Sequence, residues 1–381
     1  MRPPQGRLRI ALLSYRGHPH VGGQGIYVRY LSHALTELGH HVEVFSGQPY
    51  PDLDDDVKLT RIPSLDLYRD EDPFRRPAPS EFRGPVDVLE FGLMCTAAFP
   101  EPLTFSLRAA RVLGGRSGEF DIVHDNQCLG YGLLTLRRRL PVVATVHHPI
   151  PIDRRHDLSG ARSPVRRATL WRWYSFVRMQ RRVVRRLPAL LTVSESARSD
   201  VVREFRVPPE RIRVVHNGVD PDLFRPLPDV ARVPGRVITL ASSDAPMKGL
   251  PVLIEAMAKL RTEVDAELVV VGKGDTPAAR AAARRFGIDD GIRFVGRVDD
   301  LQLVEHLATA RTAVVPSLYE GFSLPAVEAM ACGLPLVATS GSALPEVAGR
   351  DGDAVLLVEP GDAGALAADL KLVLTETQLR G

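Results

Sequence analysis

Cysteine is scarce in this chain of 381 residues: Cys95, Cys128 and Cys332 are far apart and odd in number. That excludes a disulfide framework and a cysteine-based metal knuckle, and buried structural thiols are expected instead. Lysine is scarce too, because arginine supplies most of the 49 basic residues, so a lysine beside a glycine turn stands out. Apolar runs are short, and none approaches the ~20 residues of a membrane-spanning helix. The N-terminus, MRPPQGRLRIALLSY, enters a strand pattern directly without a signal-peptide layout, which predicts a cytoplasmic protein. The net charge of +3 does not mark a general polyanion binder, and no nucleic-acid recognition motif accompanies it. A complete dinucleotide fingerprint is also missing. Val28 stands where its last glycine belongs, and Gly272-Lys273-Gly274 does not continue into the required spacing, which argues against a nicotinamide dehydrogenase.

What the chain does have is alternation. RLRIALLSY (7–15), HVEVFSG (41–47), DIVHD (121–125), PVVATVHH (141–148) and ALLTVSES (189–196) read as buried parallel strands with helical or loop segments between them. The rhythm restarts with RVITLASS (236–243), ELVVVGKG (267–274), IRFVGRV (292–298), TAVVPS (312–317) and PLVATS (335–340). Two such series, in a chain too long for one core, predict an α/β protein of two doubly wound parallel-sheet domains. Residues 1–220 form the first expected domain, 221–235, rich in Pro and Gly, the linker, and 236–381 the second. Residues 50–90, polar, acidic and proline-rich, read as a long surface excursion.

Ligands of such sheets bind at the carboxyl ends of strands, where glycine turns and helix N-termini expose amides to anions. After the first strand, Gly22, Gly23 and Gly25 open a helix; the turn is either structural or lets backbone approach a phosphate. In SSDAPMKGLPVLIEA, Lys248 and Gly249 stand at a helix start, where a compact cation suits a diphosphate, although a solvated turn lysine reads the same way alone. In SLYEGFSLPAVEAMACGLPLVAT, Gly321 allows a turn after Glu320 and Pro325 fits the first turn of a helix, leaving the amides of Phe322, Ser323 and Leu324 free for an anion. Glu328 falls about one turn inside that helix among small apolar residues, where a carboxylate without donors costs several kcal/mol. Sugar hydroxyls would satisfy both glutamates while the amides hold phosphate, which describes a nucleotide sugar. The alternative is internal salt bridges to arginine.

With these residues in place, the chain resembles the retaining family 4 glycosyltransferases of GT-B fold over nearly its full length. The E-x7-E pattern of EGFSLPAVEAMACGLPLVAT carries the resemblance most specifically, supported by HNGVD (216–220), VVVGKG (269–274), IRFVGRVDD (292–300) and LPEVAGRDGDAVLLVEPGD (344–362). It implies two Rossmann-like domains facing across a cleft, the N-terminal one binding acceptor and the C-terminal one binding a nucleoside diphosphate sugar, with no cofactor and no metal. It further implies that Glu320 holds the donor sugar, Glu328 the ribose and Lys248 the diphosphate. The backbone near Gly272, Arg297 and Val298 would lie along the nucleotide and its base, and the Gly22–Gly25 loop would close over the phosphates. His147 would reach the reacting centre, with His148 the alternative imidazole; Arg154 and Arg155 are further acceptor-side candidates. Two departures accompany the match. Ser242 occupies the position of a usual arginine, a missing donor worth on the order of 3 kcal/mol of transition-state stabilisation. The sequence also ends at LTETQLRG, before the long helix that in relatives crosses back to the first domain, so that helix is expected to be absent.

The expected reaction is glycosyl transfer to a hydroxyl of a lipid, a sugar phosphate or a small molecule. Rival readings are a nucleotide-sugar sensor without turnover and a GT-B epimerase or hydrolase. Residues 163–189 lack acidic side chains and can be drawn as a helix with Leu170, Trp173, Tyr174, Val177, Val184 and Leu187 on one side and Arg167, Arg178, Arg182, Arg185 and Arg186 on the other. That is a core helix with a solvated face, or a basic surface resting on an anionic membrane, which would place the protein at the inner membrane face.

Overall fold

The computed structural model of the chain describes residues 6–18, 23–241 and 246–376. It contains two units, one built mainly from residues up to Val215 and the other from His216 onward. The first holds β1 (Arg9–Ser14), β2 (His41–Ser46), β3 (Lys58–Arg61), β4 (Ile122–Asn126), β5 (Val142–Val146), β6 (Ala189–Thr192) and β7 (Ile212–Val214). The second holds β8 (Arg236–Ala241), β9 (Glu267–Gly272), β10 (Ile292–Gly296), β11 (Thr312–Val315), β12 (Leu336–Thr339) and β13 (Val355–Val358). The sheets have strand orders β3-β2-β1-β4-β5-β6-β7 and β10-β9-β8-β11-β12-β13, and their strand pairs are parallel. Each is a doubly wound Rossmann-like sheet, and together they make the GT-B fold. The strand order reverses between β1 and β4 in the first and between β8 and β11 in the second.

Alternation along the strands builds a core on both faces of each sheet, which is why the sequence shows continuous apolar runs. Ala11 and Leu13 of β1 pack with Phe105, Leu113 and Leu133, while Leu12 between them joins Val28, Val42 and Val44 on the opposite face. In β8, Val237 packs with Leu253, Met257 and Leu370, and Ile238 with Leu307, Ala326 and Leu336. These side chains are buried, so truncating one of the leucines or Met257 to alanine costs roughly 2–5 kcal/mol.

Four expectations change. Residues 50–90 contain the edge strand β3 and a buried cluster of Leu65, Leu67 and Tyr68 against Phe82, Phe91, Phe99 and Trp173, which the surrounding prolines and acids disguise. Residues 163–189 are not one helix: Pro164–Trp173 and Val177–Val184 are separated by a tight turn at Tyr174–Phe176, whose aromatic rings stack into the Phe99 and Trp173 group. Within the expected linker, Phe224 is only 2% exposed and joins the second unit's core. Finally, Cys95 is exposed, whereas Cys128 and Cys332 are buried as thiols. Among the described residues no helix is long and apolar enough to cross a membrane.

Candidate active site

In the second unit, two loops leave the switch point between β8 and β11 and are fastened together. The Leu318 amide donates to the Met247 carbonyl at 2.7 Å. Gly249, at φ +69°, caps the helix Leu250–Leu260 with its Cα so close to the other loop that a Cβ would fall 1.9 Å from the Pro316 carbonyl oxygen. Only glycine fits there. This arrangement brings Lys248 Nζ to 2.8 Å from Glu320 Oε1, an oxygen that also accepts from Ser317 Oγ at 2.7 Å. Glu320 and Ser317 are buried, while the Lys248 side chain keeps 27% of its surface exposed, so solvent screens the pair from the cation's side. Gly272, at φ +101°, ends β9 beside Ala241, where a Cβ would meet the Ala241 carbonyl at 2.5 Å, and Arg297 and Val298 follow β10 on the same edge of the sheet.

The helix Leu324–Ala331 starts next to this pair, with Pro325 in its first turn as the sequence predicts. Its N-cap Ser323 is left-handed, φ 87° and ψ 79°, a conformation that costs a non-glycine residue on the order of 1–3 kcal/mol. The Ser323 hydroxyl is buried and has no hydrogen-bond partner among the described residues. No described group accepts from the amides of Phe322, Ser323 or Leu324 either. Strain beside an orphaned hydroxyl and open amides marks a place prepared for an acceptor-rich ligand. One turn on, Glu328 is 6% exposed with no side-chain hydrogen bond or ion pair among the described residues. Burial, reinforced by the Asp300 carboxylate, pushes its pKa up to about 7.

The first unit presents its own group at the β1/β4 switch. Asn126 ends β4 and His147 follows β5; His147 Nε2 lies 2.6 Å from Asn126 Oδ1. The Tyr27 ring, on the helix Gln24–Glu37, meets the imidazole edge-on at 4.5 Å. Burial, then the neighbouring His148 and His124, drive the His147 pKa down to about 3, so the ring is neutral near pH 7. Since the Asn126 oxygen can only accept, Nε2 carries the proton and Nδ1 remains an acceptor. Gln127 Oε1 accepts from the amides of both His147 and His148, and Gln127 Nε2 donates to the His148 carbonyl at 2.9 Å. The same glutamine thus fixes both histidines, yet they differ: His148 Nε2 turns to Asp153 Oδ2 at 2.8 Å. Gly25 packs against the Gly17 and His18 backbone, where a Cβ would fall 2.1 Å from the His18 carbonyl oxygen. Gly23, at φ +68°, has open space around it.

Other expected positions diverge. Arg155 is committed to Glu204 at 2.7 Å, while Arg154 stacks on the Trp171 ring with its charge 4.9 Å from the centroid. Gly22 and Ser242 lie outside the described residues. Sequence reading missed Ser317, Asn126, Gln127 and Tyr27. Asn126 ends β4, Gln127 follows it and Ser317 lies two residues past β11, all at the carboxyl ends of strands, a positional signal available in PSLYE and HDNQ; Tyr27 carries none.

Comparisons with known proteins bear on the family and the fold. Residues 21–223 match the family described as Glycosyltransferase Family 4, and residues 234–376 match Glycosyl transferases group 1. The chain is 54% identical over 371 residues to MMP alpha-(1->4)-mannosyltransferase of Mycolicibacterium hassiacum, covering 96% of this chain and 89% of that protein. It is 28% identical over 402 residues to D-inositol 3-phosphate glycosyltransferase 2 of Catenulispora acidiphila, covering 95% and 86%. Among solved structures, sucrose-phosphate synthase from Thermosynechococcus elongatus superposes with a TM-score of 0.72 at 22% identity over 98% of this chain and 91% of the other, a likeness of fold. The chain belongs to the family 4 glycosyltransferases.

Proposed function

We propose that this enzyme is a retaining hexosyltransferase that moves a mannosyl unit from a nucleoside diphosphate mannose to a sugar hydroxyl. The sugar follows from the relative at 54% identity, whose name specifies mannosyl transfer in an alpha linkage. The observation that carries the mechanism is the Lys248–Glu320 contact at 2.8 Å beside the open amides of Phe322, Ser323 and Leu324.

In this reading the second unit binds donor. Lys248 releases Glu320 and takes the diphosphate, which the three amides also hold; Glu320, freed of its cation, accepts from hydroxyls of the transferred sugar. Glu328 accepts from the ribose, and the backbone of Gly272, Arg297 and Val298 borders the base. The first unit binds acceptor, with His147 Nδ1 accepting a sugar hydroxyl, and the glycine turn of Gly23 and Gly25 approaches the phosphates. As the bond from the anomeric carbon to phosphate breaks, negative charge grows on the leaving oxygen, where Lys248 and the amides are already oriented and need no reorganisation. The acceptor oxygen bonds the anomeric carbon on the same face and its proton passes to the leaving phosphate, so no separate base is required.

Incubating the enzyme with nucleoside diphosphate mannoses and short mannosides, and reading the product anomer by NMR, tests this. Alpha-linked product is expected; beta product, or release of free mannose independent of any acceptor, would overturn it. Glu328→Ala should weaken donor binding measured by calorimetry, and an unchanged affinity would remove the ribose role.

A second reading concerns the acceptor. The helix Pro164–Trp173 has no buried residue and exposes Val165 and Trp171 among arginines. This favours peripheral contact with an anionic membrane during transfer, which co-sedimentation with phosphatidylglycerol vesicles at low salt tests.

A further inference from the structure

A cavity of about 260 Å³ opens in the first unit between the helices Pro151–Gly160, Val177–Val184 and Glu195–Phe205, lined by Pro151, Arg154, Val177, Arg178, Arg181 and Glu204. Its charges do not balance internally. Glu204 is already committed, to Arg155 at 2.7 Å and to Arg203 at 3.3 Å. Among the described residues, no ion pair involves Arg154, Arg178 or Arg181. Two of them go further: Arg154 Nε and Arg181 Nε are buried and have no hydrogen-bond partner. A buried donor left unsatisfied costs about 1–3 kcal/mol, and more when charged. Burial, with Arg155, Arg178 and Arg181 nearby, lowers the Arg154 pKa, so the guanidinium groups feel one another. The Trp171 ring under Arg154 steadies the guanidinium plane without satisfying its donors. Three converging guanidinium groups, two with orphaned donors, lack a multivalent oxyanion.

We propose that this cavity is a binding pocket for the dianionic phosphate of a monoester, gripped by Arg154, Arg178 and Arg181. Planar guanidinium forks match phosphate oxygens two at a time, and a dianion offsets more of the three charges than a carboxylate does. At roughly 30 Å³ per water, the cavity also accommodates the ester substituent's first atoms. The pocket is built from residues of the first unit alone and does not rest on the donor assignment. The monoester is either a soluble sugar phosphate or a lipid headgroup, both of which present the same group.

Calorimetry of the full chain with inorganic phosphate decides the matter in a Lys248→Ala background, which removes the other anion candidate. Phosphate binding should persist there and weaken about tenfold with Arg178→Gln or Arg181→Gln, one charge-assisted contact each. With glucose 6-phosphate as the titrant, affinity should also fall as pH drops through about 6, where a monoester becomes a monoanion. Without phosphate, the melting temperature of Arg178→Gln should hold or rise, since an unpaired like charge has gone; Arg178→Lys, keeping the charge, should bind with intermediate affinity. Loss of all phosphate binding with Lys248→Ala alone, or indifference to the arginine substitutions, overturns the proposal. Glucose 6-phosphate binding more tightly than inorganic phosphate, or phosphatidic acid vesicles binding in an Arg178-dependent manner, identifies the source and supports the pocket. Failure of both to respond to the arginines counts against it.

Discussion

The two units present contrasting chemistry at equivalent places. Each carries its group where the strand order reverses, but the second uses a partly buried charged pair, Lys248 with Glu320, and the first a neutral pair, His147 with Asn126. A charged pair is an exchangeable contact: a ligand of matching charge can displace one member and release the other. A neutral hydrogen bond instead fixes a tautomer. The switch point therefore sets where chemistry is placed, and local residues decide whether it stores charge or direction.

Breaking the charged side should have the largest effect. Lys248→Ala removes a donor already aimed at the leaving group and should lower kcat by about 100–1,000-fold, measured at saturating donor. Glu320→Gln keeps a contact to Ser317 Oγ but loses the charge that holds Lys248, so kcat/KM should fall on the order of 10–100-fold. Next comes pH, where the units have opposite signs. Glu328 titrates near 7 when folded and near 4.5 when unfolded, so the native state binds the extra proton and stability falls as pH rises from 4.5 to 7. Glu328→Gln should abolish that loss, a gain on the order of 3 kcal/mol at neutral pH in denaturant titrations. His147 titrates near 3 when folded and near 6.5 when unfolded, so the unfolded state binds the extra proton and stability is lost as pH falls from 6.5 toward 3. His147→Gln should flatten that limb. A finer measurement follows from the ribose role: hydroxyl donors favour the Glu328 carboxylate, so nucleotide binding near pH 6.5 should release protons, read by calorimetry in buffers of different ionisation enthalpy. The smallest effect is Ser317→Ala, which removes a neutral donor and should cost no more than about tenfold in kcat/KM.

The fold was legible where strands are buried on both faces, because such strands read as unbroken apolar runs. The strands absent from the sequence reading, β3, β7 and β13, all lie at sheet edges, where neighbours cover less and the pattern weakens. KLTR of β3 is almost wholly polar, since Lys58 and Thr60 serve the buried Glu43. Of the site, the residues resting on glycine turns and on a helix start could be read directly. The Lys248–Glu320 partnership could not, because it joins positions 72 apart through a loop-to-loop fastening with no local signature. Gln127 stands at a readable position after β4, but its role is not readable there, because it holds amides that follow a different strand.

The amide of Leu318 and the carbonyl of Met247, together with the absence of any side chain at Gly249, bind the two loops into one mechanical part. Anyone seeking to re-aim the enzyme toward another carbohydrate cannot reposition Glu320 while leaving Lys248 where it is. Changes of selectivity have to be made in the surrounding walls, and a bulkier residue at position 249 would pry cation and carboxylate apart at once.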